Sequence, residues 1–124
     1  MAFTAAAWTE YPATPARVLQ VRPVFDAGAG ERLVQRIVEL AASGQQAIVV
    51  DLSGIEAVGA DAIAPLVAAA RRLDARGVRI SVVFDSLLQL FAMPGIDAFF
   101  DVEVTAQDAV ARLARREAAG RGAT

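Results

Sequence analysis

The run Ala47-Ile48-Val49-Val50, bounded by Gln45-Gln46 before it and Asp51 after it, has no polar alternation and so leaves no face for water. A strand of that kind must be covered on both sides, which restricts the chain to a sheet held between helices. Helical segments flank it. From Glu31 to Ala42 the apolar residues Leu33, Val34, Ile37, Val38, Leu40 and Ala41 recur at helical spacing, and Ser43-Gly44 supplies a stop. After a loop from Ser53 to Ala60, a second helix runs to about Arg76 with Leu66, Val67, Ala70 and Leu73 inward, and Gly77 ends it. A further buried strand, Val78 to Phe84, follows at once.

At the N-terminal end, Phe3 to Tyr11 and Arg17 to Val21 flank the turn-rich stretch Pro12-Ala13-Thr14-Pro15, which predicts two antiparallel strands. Toward the other end, Ser86 can cap a short third helix, Leu87 to Ala92, closed by Pro94-Gly95. Phe99 to Val104 then reads as an edge strand. Thr105 to Asp108 has the form of a capping box opening a last helix that ends near Ala119, with a frayed tail over residues 119–124. The expectation is one α/β domain over residues 1–124, with its core at about 3–118. It has a mostly parallel four- to five-stranded sheet, an antiparallel N-terminal strand pair and about four helices.

Composition narrows the chemistry. All 12 basic residues are Arg against 14 acidic ones, giving a net charge of -2 and no cationic surplus for nucleic-acid phosphates. Lys, Cys and His are absent, which removes Schiff-base chemistry, thiolates, disulfides and the commonest zinc ligands. The longest apolar run, Ala62 to Ala70, is far short of the roughly 20 residues that span a bilayer. A cytoplasmic protein without membrane insertion, nucleic-acid partner, metal or cofactor is expected. Asp26-Ala27-Gly28-Ala29-Gly30 lacks the spacing of a phosphate-binding loop and reads as a flexible approach to the first helix. Ser53, Ser81 and Ser86 have no His base, and Asp51, Asp85, Asp97 and Asp101 have no fixed pairing. No catalytic residue is expected.

Asp51-Leu52-Ser53-Gly54 leaves the central strand, a helix starts near residue 61, and Asp26 precedes the first helix. Arg76-Gly77-Val78 leads into a strand, and Gly95 to Phe100 follows the third helix. In this order, over nearly the whole chain, the sequence resembles the STAS domain of anti-sigma-factor antagonists. The resemblance implies a protein-binding module. In that family an Asp-Ser-Ser-Gly loop carries, at its first Ser, a phosphate placed by a partner kinase that is also the anti-sigma factor. The corresponding residues here are Gly59-Ala60-Asp61-Ala62. Ala60 then holds the phosphoacceptor position and has no hydroxyl, and Gly59 replaces the family's acidic residue.

Asp61 would cap the second helix, worth about 1 kcal/mol, or supply negative charge where a phosphate would sit. Pro65 falls just outside the first helical turn, which either moves the cap to Ala62 or a later residue or makes that turn irregular. The implied partner-binding surface comprises Asp26, Gly59, Ala60, Asp61, Ala62, Ile63 and Met93. The implied partner is a serine kinase, anti-sigma factor or other signalling protein. The alternative resembles STAS accessory subunits of ABC-type lipid transport systems, which bind an ATPase, and a weak homodimer is compatible with either. Ser53 and Ser86 are the hydroxyls that could take over phosphorylation.

Overall fold

The computed structural model describes residues 3–4, 8–21, 24–25, 27–53, 57–58, 60–83, 101–103 and 105–122. In chain order the elements are β1 (Phe3–Thr4), β2 (Trp8–Ala13), β3 (Ala16–Val21), β4 (Val24–Phe25), α1 (Ala27–Ala42) and β5 (Ala47–Asp51). There follow β6 (Ala57–Val58), α2 (Ala60–Asp74), β7 (Arg79–Val83), β8 (Asp101–Glu103) and α3 (Ala106–Gly122). Six strands form one sheet in the order β1-β2-β3-β5-β7-β8, and β4 pairs with β6 in a separate two-stranded piece. The first two pairings are antiparallel; those from β3 through β8 are parallel.

Every residue of β5 is buried, as the unbroken apolar run requires. Its side chains divide between two cores. Ile48, Val50 and Leu52 join Leu19, Ile80 and Val82 beneath Leu33, Ile37 and Leu40 of α1 and Leu66, Ala70 and Leu73 of α2. On the other face, Val49 joins Ala16, Val18 and Val83 beneath Ala109 and Leu113 of α3. Val38, which shares the apolar period of α1, is nonetheless 44% exposed.

Glycine ends both covering helices where it was expected. Gly44 and Gly77 have φ of 103° and 84°, a region open to glycine at little cost. At α1 the amide of Gln45 donates to the Leu40 carbonyl at 3.0 Å and that of Gly44 to Ala41 at 3.1 Å. Val78 to Leu73 and Gly77 to Asp74 repeat the pattern at α2, both at 3.0 Å. These are Schellman closures, and each delivers the chain directly into a parallel strand.

Other boundaries moved. The first predicted strand is two, β1 and β2, and β2 continues through Pro12 and Ala13, leaving Thr14-Pro15, joined by a cis peptide bond, as the turn. Among the described residues β1 pairs with β2 at Glu10 and Thr9 and no pairing on that side involves Pro12, which suits a residue without an amide hydrogen. α1 starts at Ala27, four residues earlier than its periodicity suggested, because burial of Ala29 in the core outweighs the poor helix propensity of two glycines. α3 starts as expected, with the Asp108 amide donating to Thr105 Oγ1 at 3.1 Å, but continues to Gly122. The predicted helix at Leu87 to Ala92 lies outside the described residues.

A buried carboxylate ties the outer hairpin to α1. Glu10 on β2 is fully buried and accepts Arg17 Nε at 2.7 Å, Arg36 Nε at 2.7 Å and Arg36 Nη2 at 2.7 Å. The Arg36 guanidinium thus grips both carboxylate oxygens, a geometry a lysine could not reproduce. These hydrogen bonds, Arg36 first, outweigh the opposing effect of burial and hold the Glu10 pKa below the usual carboxylate range.

Val49→Ala should lower unfolding free energy by about 1–4 kcal/mol, while Val38→Ala should stay within about 0.5 kcal/mol. Matching denaturation midpoints for the two variants would contradict the two-sided burial of β5. Glu10→Gln should cost on the order of 2–4 kcal/mol at pH 7, somewhat less than for a wholly buried pair because both arginines stay partly exposed. Because the folded pKa is depressed, Glu10 contributes fully above its unfolded pKa of about 4.3, and the contribution fades as pH falls through the lower folded value. The stability gap between native protein and Glu10→Gln should therefore narrow from pH 5 to pH 3 in urea titrations; a constant gap would contradict the assignment.

Candidate functional site

Two chain segments leave the same end of the parallel sheet and turn into helices side by side. β3 runs on toward β4, and β5 runs on toward β6, and these short strands pair in parallel with Val24 opposite Ala57 and Phe25 opposite Val58. α1 begins two residues after Phe25 and α2 two residues after Val58. The helices then pack along each other. Their N-termini therefore stand together, and with them the positive ends of the two helix dipoles.

The chain's exit from β5 is fixed by its own side chains. Asp51, nearly buried, accepts the Ser53 amide at 2.9 Å and the Ser53 hydroxyl at 2.5 Å through the same Oδ1. Leu52 is wholly buried, and its amide donates to the Val83 carbonyl at 2.9 Å. Asp51-Leu52-Ser53 is thus a locked turn aimed toward β6. The Ser53 hydroxyl is engaged in holding it.

Ala60, Asp61, Ala62 and Ile63 form the first turn of α2. The helix begins at Ala60, so Asp61 occupies the turn itself and not the capping position expected from the sequence. Pro65 lies inside the helix and cannot donate to the Asp61 carbonyl four residues back, so the irregularity expected of this turn falls on the backbone of Asp61. Asp26, Gly59 and Met93 lie outside the described residues, as do Ser86, Asp85 and Asp97.

The glycine-rich stretch before α1 is not an open loop from Ala27 onward. Residues 27–30 are helical, with Ala29 and Gly30 buried, which leaves no cradle for a phosphate there. Among the described residues no cluster of three or more His, Cys, Asp or Glu could hold a metal ion. Among the described residues no helix is long and apolar enough to cross a membrane.

The Glu10–Arg17–Arg36 cluster and the β4–β6 pair escaped the sequence. An acidic residue in phase with inward-facing Trp8 was the available signal for the first. Two-residue strands have too few positions to show a period, so the second had none.

A family profile described as "Mlab, STAS domain" matches residues 11–105. Among solved structures, the chain is similar to the protein TM1081, known from an NMR structure, with TM-score 0.74 and 12% identity. That alignment covers 91% of this chain and 93% of the other. It is also similar to an anti-sigma factor antagonist from Mycobacterium paratuberculosis, with TM-score 0.69 and 24% identity, covering 83% of this chain and 89% of the other. No curated protein matches. The structural likenesses establish a shared fold, the family profile spans most of the chain, and the chain belongs to the STAS domain family.

Proposed function

We propose that this protein is a non-catalytic STAS regulatory module that docks onto a signalling protein, a serine kinase or anti-sigma factor, through the paired helix starts of α1 and α2. The single observation that carries the reading is the β4–β6 pairing, which sets Phe25 against Val58 and so brings the start of α1 beside the start of α2. On that surface we assign partner contacts to Asp26, Gly59, Ala60, Asp61, Ala62 and Ile63, with Met93 as a further contact. The STAS family is generally regulatory, and the likeness to an anti-sigma factor antagonist favours this partner class.

The docking surface is constitutive in this reading. Ala60 has no hydroxyl, so a kinase that modifies the family's loop finds no acceptor here, and Ser53 already donates its hydroxyl to Asp51. Binding is then governed by the amount of protein or by the partner's own state. The cytoplasm is where such partners reside. A second reading, an accessory subunit on the ATPase of an ABC-type lipid transport system, is favoured by the Mlab description of the matching profile. Both readings use the same surface and differ in the protein that meets it.

Affinity capture from native extract, with the wild-type protein and Ala60→Glu as parallel baits, tests the reading. Recovery of a serine kinase or anti-sigma factor by wild type, and its loss with Ala60→Glu, is expected, since a new carboxylate beside Asp61 repels a partner adapted to the small residue. Recovery of a transport ATPase instead would establish the second reading. Equal recovery by both baits would remove the α2 start from the interface. With the partner purified, Asp61→Asn keeps helix-starting ability and deletes the charge. Tighter binding would assign Asp61 a phosphate-like negative role, and unchanged binding a purely structural one. Mass spectrometry after incubation with the captured kinase and ATP should find no phosphate on the loop; phosphate on Ser53 or Ser86 would overturn the constitutive reading.

A further inference from the structure

The parallel ladder that joins β3 to β5 resumes as the β4–β6 pair with a changed count. Its last described pair is Gln20 with Asp51, and the next is Val24 with Ala57. Four residues on one route are thus matched by six on the other, and the surplus of two lies between Asp51 and Ala57. A surplus in a ladder leaves the register beyond it unspecified unless the extra length is held in one place.

The Asp51 side chain holds it. Backbone donors of a strand alternate between its two neighbours. The Leu52 amide donates to the Val83 carbonyl of β7 at 2.9 Å, so the Ser53 amide is the donor that would have continued the ladder to β3. Asp51 Oδ1 takes that amide at 2.9 Å and the Ser53 hydroxyl at 2.5 Å. Pairing with β3 therefore ends at Asp51, while pairing with β7 runs one residue further. Asp51 is 5% exposed and Leu52 wholly buried, so the turn is anchored in the core.

We infer that Asp51 and Ser53 are positioning residues for the paired helix starts: their turn sets the register at which β6 meets β4, and with it where α2 begins beside α1. One residue separates β4 from α1 and one separates β6 from α2, so the register passes to the helices unchanged. With Phe25 opposite Val58, Ala27 and Ala60 each stand two residues beyond a matched pair. A slip of one residue would carry one helix start past the other by about 3.3 Å and turn the slipped side chains to the opposite face. The β4–β6 pair, two residues long and outside the main sheet, is too short to fix its own register. Asp51, nearly buried, acts through the backbone and not by touching a partner. The consequence for binding rests on the docking role proposed above; the positioning does not.

Cross-strand NOEs in the isotope-labelled full chain, with circular dichroism to verify folding, test this without a partner. The wild type should show contacts of Val24 with Ala57 and of Phe25 with Val58. Asp51→Ala should abolish both or shift their register, with amide shift changes concentrated in the first turns of α1 and α2. The Ile48–Ile80 and Val50–Val82 contacts of the β5–β7 ladder should persist. Asp51→Asn, whose amide oxygen can accept the same two bonds, should keep the wild-type pattern. Ser53→Ala removes one of the two bonds and should move the same residues less; it decides the matter if Asp51→Ala does not fold. Affinity for the captured partner should fall by about tenfold in Asp51→Ala and stay within about twofold of wild type in Asp51→Asn. Wild-type β4–β6 contacts in Asp51→Ala would overturn the inference, as would unmoved helix starts in Ser53→Ala or a loss in Asp51→Asn equal to that in Asp51→Ala. A lost register with full affinity would instead overturn the docking role and leave the positioning role standing.

Discussion

The structure depends on β5 having no solvent face. A strand buried on both sides must be flanked by other strands and roofed by helices above and below, and each parallel neighbour then requires a crossover. That single demand accounts for α1 and α2 on one face and α3 on the other. It also accounts for helices beginning where the chain leaves the ends of the parallel strands. The Schellman closures at Gly44 and Gly77 are the complementary condition, since each returns the chain from a helix into the next central strand.

Within this frame Glu10 works at a different level. The hairpin β2–β3 is held to the sheet by its ladder, but its position relative to α1 is set by one carboxylate gripped by Arg17 and Arg36. Buried ion pairs of this kind fix geometry more than they add stability, because desolvation offsets much of their attraction. Their removal is costly for the same reason. The cluster thereby orients α1, whose start forms half of the candidate docking surface.

What could be read from the sequence was whatever repeats over several residues. The β5 run, the inward stripe Leu66, Ala70 and Leu73, and the glycine stops all express a period or a backbone requirement visible locally. Long-range pairings were not legible. Arg36 is 26 residues from Glu10, and nothing in either neighbourhood names the other. Val38 keeps the apolar period of α1 yet faces outward, because the helix presents more apolar positions than α2 and the sheet can cover. At the candidate site, family resemblance placed residues 60–63 at the start of α2 and Asp26 beside them, and the register of β4 and β6 supplies the backbone pairing that brings the two helix starts together.

The site is notable for what its side chains offer in chemistry. Residues 60–63, Ala-Asp-Ala-Ile, carry no hydroxyl, thiol or imidazole. Recognition by a partner matches that inventory. The central claim, that the domain is recognised at the paired starts of α1 and α2, is tested most directly by titrating the captured partner into 15N-labelled protein and following amide chemical shifts. The account predicts changes concentrated in the first turns of α1 and α2, with α3 silent. Changes centred on α3 or on the opposite end of the sheet, with the helix starts unmoved, would contradict it.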